Sequence, residues 1–147
     1  MAPLSVRGGN VKYLGQVSGR FPFAPLHGKC GAMDISPLAL PFPALAPIAG
    51  VAIGTACTGY KAWTRDDVTL FVLDEGTAVA GVTTQSLCPS PEVELCRARL
   101  PQGRARALVV NAGNSNAFTG AAGRAAALAQ TAHVAELLGC APDSVFS

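Results

Sequence analysis

The apolar and polar positions along this chain change their period several times, and each change marks an element. The segment 48-IAGVAIGTACTGYK-61 is apolar and rich in small residues, a strand candidate at which order should begin. Residues 68–73 (VTLFVL) form a β-rich run between the charged pair Asp66-Asp67 and the turn 74-DEG-76. The next run, 77-TAVAGVTT-84, is also β-rich, so the two runs are expected to pair as a hairpin. Pro89 and Pro91 then interrupt, and 92-EVELCRARL-100 fits either a short strand or a short helix. A clear strand follows at 104-RARALVVN-111. Helical spacing is strongest over 120–139, where Leu128, Ala132, Ala135 and Leu138 share one stripe. Thr119 is placed to cap its start, and Gly139 with Pro142 beyond it to stop it.

Hairpin-like strands followed by strand, loop and helix predict an α+β fold built in layers. Seven of the eleven prolines lie within the first 47 residues, so 1–43 reads as an irregular Pro/Gly-rich arm and 44–147 as the ordered portion. The chain stops at 142-PDSVFS-147, where "SVF" resembles the entry to another strand; a truncated domain is the expectation.

Composition narrows the function classes. With 147 residues, 50% of them hydrophobic, the chain can build one domain with a real core. The charged fraction of 14% is low, which predicts surface buried against something else. A formal charge of +2 without a dense Lys/Arg run argues against nucleic acid as a partner. The apolar stretch 38–54 is broken by Pro41, Pro43 and Pro47, so no membrane span is expected. Arg7, Lys12, Arg20 and Lys29 precede the first acid, Asp34, as in some transit peptides, yet Gly8-Gly9 and the prolines spoil an amphipathic helix. A bacterial cytoplasmic protein is the default, with the mitochondrial matrix as the eukaryotic alternative.

Candidate chemistry is sparse. Cys30, Cys57, Cys88, Cys96 and Cys140 include no CxxC pair, so neither a zinc site nor a redox motif is indicated, and free buried thiols are expected. No common nucleophile, nucleotide or metalloprotease motif occurs, and no metal ligand set is assigned. His27 and His133 are the only imidazoles, which leaves a Cys-dependent reaction at Cys57 or Cys88 as a minor alternative. Asp66, Asp67, Asp74 and Glu75 read as solvated turn residues. The unusual stretch is 109-VVNAGNSNAFTG-120, with Asn111, Asn114 and Asn116 within six positions between a strand and a helix. Such a loop directs backbone N–H groups to a helix start that favours negative charge. Asparagine amides can equally brace neighbouring loops, and the residues alone favour bracing over catalysis by a small margin.

The segment 103-GRARALVVNAGNSNAFTG-120 resembles the hallmark of the ornithine acetyltransferases, the bifunctional glutamate N-acetyltransferases of arginine biosynthesis. That family commonly has serine where this chain has Ala112, and alanine where it has Ser115. Residues 47–61, 74–93 and 133–146 are similar to further family segments in the same order, with Val82-Thr83 standing where a phenylalanine commonly precedes the threonine. The resemblance covers roughly 44–147 and implies a layered αββα-type sandwich of which only the front part is present.

It further implies a precursor that cleaves itself before a threonine, whose hydroxyl then carries acetyl from N-acetylornithine to glutamate. The family's S-T-G-V-I-G oxyanion motif and its threonine would lie beyond Ser147, so no catalytic or substrate-binding residue is carried over. The implied partner is the remainder of the same enzyme, in a heterotetramer of two chain types. No cofactor is implied, although acetyl-CoA is a conceivable acetyl donor of the whole enzyme. Asn111, Asn114, Asn116 and Thr119 are the near-site bracing candidates, and the isolated chain is expected to be inactive. The competing reading is a non-catalytic scaffold that keeps the front half of the fold.

Overall fold

The computed structural model describes residues 12–14 (backbone only), 36–40, 46–62 and 65–147. Five strands form one sheet in chain order: β1 (Lys12–Leu14), β2 (Val51–Ala56), β3 (Val68–Leu73), β4 (Ala107–Asn111) and β5 (Val145–Phe146). The first three pairings are antiparallel and β4–β5 is parallel. Two helices, α1 (Pro91–Arg99) and α2 (Gly120–Leu138), complete a mixed α+β architecture of mostly antiparallel strands.

β3 falls on the run marked out by its β-branched and large apolar residues, and 74–76 is a turn. Its partner differs from the expected one. Residues 77–84 form no strand; an isolated Ala78–Arg104 bridge, with the bonds from Val79 N–H to the Gly103 carbonyl (3.1 Å) and from Ala105 N–H to the Thr77 carbonyl (3.1 Å), holds their start. β4 occupies that edge of β3 instead, with Leu70 opposite Val109 and Val72 opposite Ala107. The reason is burial: β4 offers side chains that α2 covers, whereas Val82 is 100% exposed.

β1 pairs with the outer edge of β2, Tyr13 opposite Gly54, so the arm expected to be irregular contributes a strand. Most of 1–43, including His27 and Cys30, lies outside the described residues. The stretch that fitted strand or helix is α1. Pro91 sits at its first position, Glu92 and Glu94 in its first turn, and Arg97 and Arg99 in its last, the arrangement the helix dipole favours.

α2 spans the expected range and ends at left-handed Gly139 (φ 62°), where Cys140 N–H bonds the Ala135 carbonyl at 3.0 Å. Its buried stripe is Gly123, Ala127, Thr131, Val134 and Ala135, while Leu128 is 44% exposed and Ala132 is exposed. The buried face is therefore rotated about the axis from the expected stripe. In a helix this rich in alanine the apolar contrast around the circumference is too weak to fix the face.

Small side chains let α2 lie close to the sheet. Ala107, Val109, Val134, Ala135 and Val145 make the core, with Val68, Leu70, Leu138 and Cys140 packed around it. One buried cation ties the layers together. Arg99, 5% exposed, donates from Nη1 to the Val145 carbonyl (2.6 Å) and from Nη2 to Thr131 Oγ1 (3.3 Å), and its Nε lies 3.8 Å from Asp143. α1, α2 and β5 thus meet at one guanidinium. Among the described residues no helix is long and apolar enough to cross a membrane.

Candidate functional site

The candidate site is the loop 112–119, which leaves the end of β4 and turns into α2. Its entry is fixed by the sheet, since Ala112 N–H bonds the Asp67 carbonyl at 2.7 Å. Gly113 (φ 94°) and Gly120 (φ 62°) take the left-handed conformations that a side chain resists. Between them Phe118 has φ 59°, the one positive value at a non-glycine among the described residues, and its ring is 89% exposed.

Two of the predicted asparagines meet. Asn114 Nδ2 lies 3.4 Å from Asn116 Oδ1, and Asn116 Nδ2 donates to the Glu92 carboxylate on α1. The Asn116 carbonyl accepts both the Thr119 N–H (3.3 Å) and the Thr119 hydroxyl (2.5 Å). Thr119 does stand at the helix N-cap, but its hydroxyl makes no bond to the first-turn N–H groups. In place of the expected cap, the hydroxyl donates to the Asn116 carbonyl, a lock within the loop. Asn111 is exposed at the end of β4 and makes no side-chain bond among the described residues.

Three contributors escaped sequence reasoning. Glu92 anchors Asn116, and Glu94 of the same helix turn pairs with Arg124 of α2. Gly123 provides the space: a Cβ there would lie 1.7 Å from Thr119 Oγ1, 2.9 Å from Thr119 Cβ and 3.1 Å from Asn116 Cβ. A single glycine inside an alanine helix is the available signal for that close approach. For Glu92 the only signal is an acid in a first turn, which is too common to direct a prediction.

The remaining candidates are structural. Asp67, expected as a solvated turn residue, is 3% exposed. Its Oδ1 accepts Thr58 N–H (2.7 Å) and its Oδ2 accepts Tyr60 N–H (3.3 Å), so it shapes the β2–β3 connection from inside. Burial pushes its pKa up, but the Thr58 and Tyr60 donors outweigh burial and hold the carboxyl below its ordinary value. Asp66 Oδ2 accepts the Thr55 hydroxyl at 2.6 Å, while Glu75 is exposed as expected. His133 is exposed, with Nδ1 3.8 Å from Glu136. Cys57, Cys96 and Cys140 are half-buried rather than buried, Cys88 is exposed, and none forms a disulfide. Cys57, Cys88 and Cys140 sit in loops or at element ends, and Cys96 lies within α1 with its Sγ 3.2 Å from the Ser147 carbonyl. Among the described residues no three potential metal ligands cluster.

A β–α–β crossover from an antiparallel sheet, with an asparagine-rich loop locked at the crossover's start, defines the class structurally. The ArgJ family model matches residues 52–147, and the chain belongs to the ArgJ family. It is 59% identical over 114 residues to the arginine biosynthesis bifunctional protein ArgJ of Zymomonas mobilis, covering 77% of this chain and 28% of that protein. The Bradyrhizobium diazoefficiens protein of the same name is 50% identical with the same coverage. The chain therefore spans 28% of the length of these curated relatives. Among solved structures, it is similar to the ornithine acetyltransferase of Mycobacterium tuberculosis complexed with ornithine (TM-score 0.57, 32% identity, 60% of this chain and 49% of that one). The arginine biosynthesis bifunctional protein of Bacillus halodurans aligns with a TM-score of 0.53 at 25% identity, over 56% of this chain and 44% of that one.

Proposed function

We propose that this chain supplies the front segment of an acetyltransferase that moves an acetyl group from N-acetylornithine to glutamate in arginine biosynthesis. The observation that carries the reading is the family match over residues 52–147, running through the 112–119 loop. The chemistry belongs to the remaining length of the enzyme, where a threonine freed by self-cleavage attacks the acetyl carbonyl. Its own amine takes the hydroxyl proton and passes it to the ornithine nitrogen as the amide C–N bond breaks; the glutamate amine then attacks the acetyl-threonine ester, and its proton returns to the threonine oxygen as that ester bond breaks. Both steps pass through a tetrahedral oxyanion that needs fixed donors.

This chain's part is to build the sheet and helix layers against which that threonine is placed, and to brace the neighbouring segments through Asn114 and Asn116. Thr119 braces the same loop through the Asn116 carbonyl. The assembled enzyme is a heterotetramer of two chain types that works in the cytoplasm, or in the mitochondrial matrix of a eukaryote. It uses no cofactor for this transfer; whether acetyl-CoA also serves as donor is decided by assaying the assembled enzyme with it.

The test joins residues 1–147 to the part of the Zymomonas mobilis relative that lies beyond the matched region. Acetyl transfer from N-acetylornithine to glutamate is then measured for the joined enzyme and for this chain alone. The joined enzyme is expected to turn over and the isolated chain to be silent. Turnover by the isolated chain refutes the assignment of the chemistry to the remaining length, and an inert but folded joined enzyme refutes the proposal and favours the scaffold reading.

A further inference from the structure

We infer that Glu92, in the first turn of α1, is a positioning residue for the 112–119 loop in acetyl transfer; the inference rests on the proposed function above. An asparagine amide presents a donor on one side and an acceptor on the other, and an isolated amide can face either way. A carboxylate accepts only, so Asn116 must turn Nδ2 toward Glu92. That choice puts Oδ1 on the side where Asn114 Nδ2 approaches at 3.4 Å. One fixed charge on a neighbouring helix thereby sets the orientation of two successive loop amides, and the charged acceptor makes the first bond the stronger one.

The rest of the loop is arranged to transmit this setting. The Asn116 carbonyl holds Thr119 through its N–H at 3.3 Å and its hydroxyl at 2.5 Å, so residue 116 is pinned through both backbone and side chain. Gly123 leaves just the room that Thr119 and Asn116 need against α2. The Glu94–Arg124 pair ties α1 to α2, the helix into which the loop runs. Asn116 is half-buried and Asn114 exposed, which leaves the oriented Asn114 amide as the outward end of the relay. Catalytic arrangements tolerate little misplacement; an error of about 1 Å can cost on the order of 100-fold in rate.

The experiment reverses the relay. In the joined enzyme, E92A, N116D and the double variant E92Q/N116D are compared with the parent. E92A lets both amides turn, and N116D sets two carboxylates face to face; each is expected to lower kcat about ten-fold with KM for N-acetylornithine unchanged. E92Q/N116D exchanges donor and acceptor across the same contact and is expected to restore most of kcat, which a general loss of stability would not produce.

In parallel, side-chain amide NMR signals of Asn116 and Asn114 are followed in the 147-residue chain, where E92A is expected to move both. Parental kcat in E92A and N116D, or a double variant no better than N116D, overturns the inference. Should the parent joined enzyme prove inert, the functional reading has failed separately. The NMR arm then decides alone: Asn114 and Asn116 signals unmoved by E92A overturn the orienting role of Glu92.

Discussion

Replacing Gly123 by alanine asks whether the loop or the helix controls this position. In an ordinary helix interior the change stabilises by about 1 kcal/mol, because alanine is the better helix former. Here the added methyl would lie 1.7 Å from Thr119 Oγ1 and 2.9 Å from Thr119 Cβ. The hydroxyl must leave, which breaks its 2.5 Å bond to the Asn116 carbonyl, a loss of about 1 kcal/mol. Asn116 Cβ, 3.1 Å away, and the loop backbone must then shift, and overpacking of this kind costs about 1–3 kcal/mol. The balance is a net destabilisation of about 1–3 kcal/mol, or a midpoint lower by about 3–10 °C for a chain of this size. Urea denaturation followed by circular dichroism reads the value directly. Adding Thr119→Ala should recover part of it, since the contact with Oγ1 disappears while that with Cβ stays. A Gly123→Ala variant more stable than the parent would refute the close packing of loop on helix.

Two further perturbations probe the scaffold. Arg99→Met keeps much of the volume but strips the Val145 carbonyl and Thr131 hydroxyl of their buried donor, at an expected cost of about 2–4 kcal/mol in urea denaturation. Arg99→Lys, lacking the forked geometry, should recover less than half. For Asp67 the folded pKa lies below the unfolded value near 3.8, so its charge stabilises the fold above that pH and the contribution is lost as pH falls through the folded value. Asp67→Asn should therefore be less stable at pH 7 and show a shallower loss of stability below about pH 4. An acid limb as steep as the parent's would contradict the assignment.

Much of the fold was legible where side-chain character is decisive. β3 follows from six consecutive β-favouring residues, and α2 from a stop at Gly139 that only a left-handed position explains. What was not legible depends on competition between distant partners. The run 77–84 has strand composition, but β4 packs under α2 and takes the edge of β3, leaving Val82 in solvent. The buried side of α2 is chosen by Thr131 meeting Arg99 and by Gly123 meeting Thr119, and neither contact leaves a periodic trace in the sequence.

At the candidate site the sequence singled out the asparagines of the loop but not what holds them. Asn114 and Asn116 stand out by composition, and they do meet. Glu92 and Asn116 are 24 positions apart, and their contact exists only because α1 folds beside the start of α2. Asp67 misled for a related reason. An acid flanking a strand is usually solvated, and only the placement of Thr58 and Tyr60 against it supplies the N–H donors that make its burial tolerable.

The central claim, that this chain frames a transfer whose covalent step occurs on the rest of the enzyme, is tested most directly by trapping the intermediate. The joined enzyme is incubated with N-acetylornithine labelled in its acetyl group and no glutamate, then digested and examined by mass spectrometry. One labelled acetyl group on the threonine that begins the second chain, removed when glutamate is added, is the predicted result. Label on a residue between Met1 and Ser147, or no covalent label in an enzyme that turns over, would contradict it.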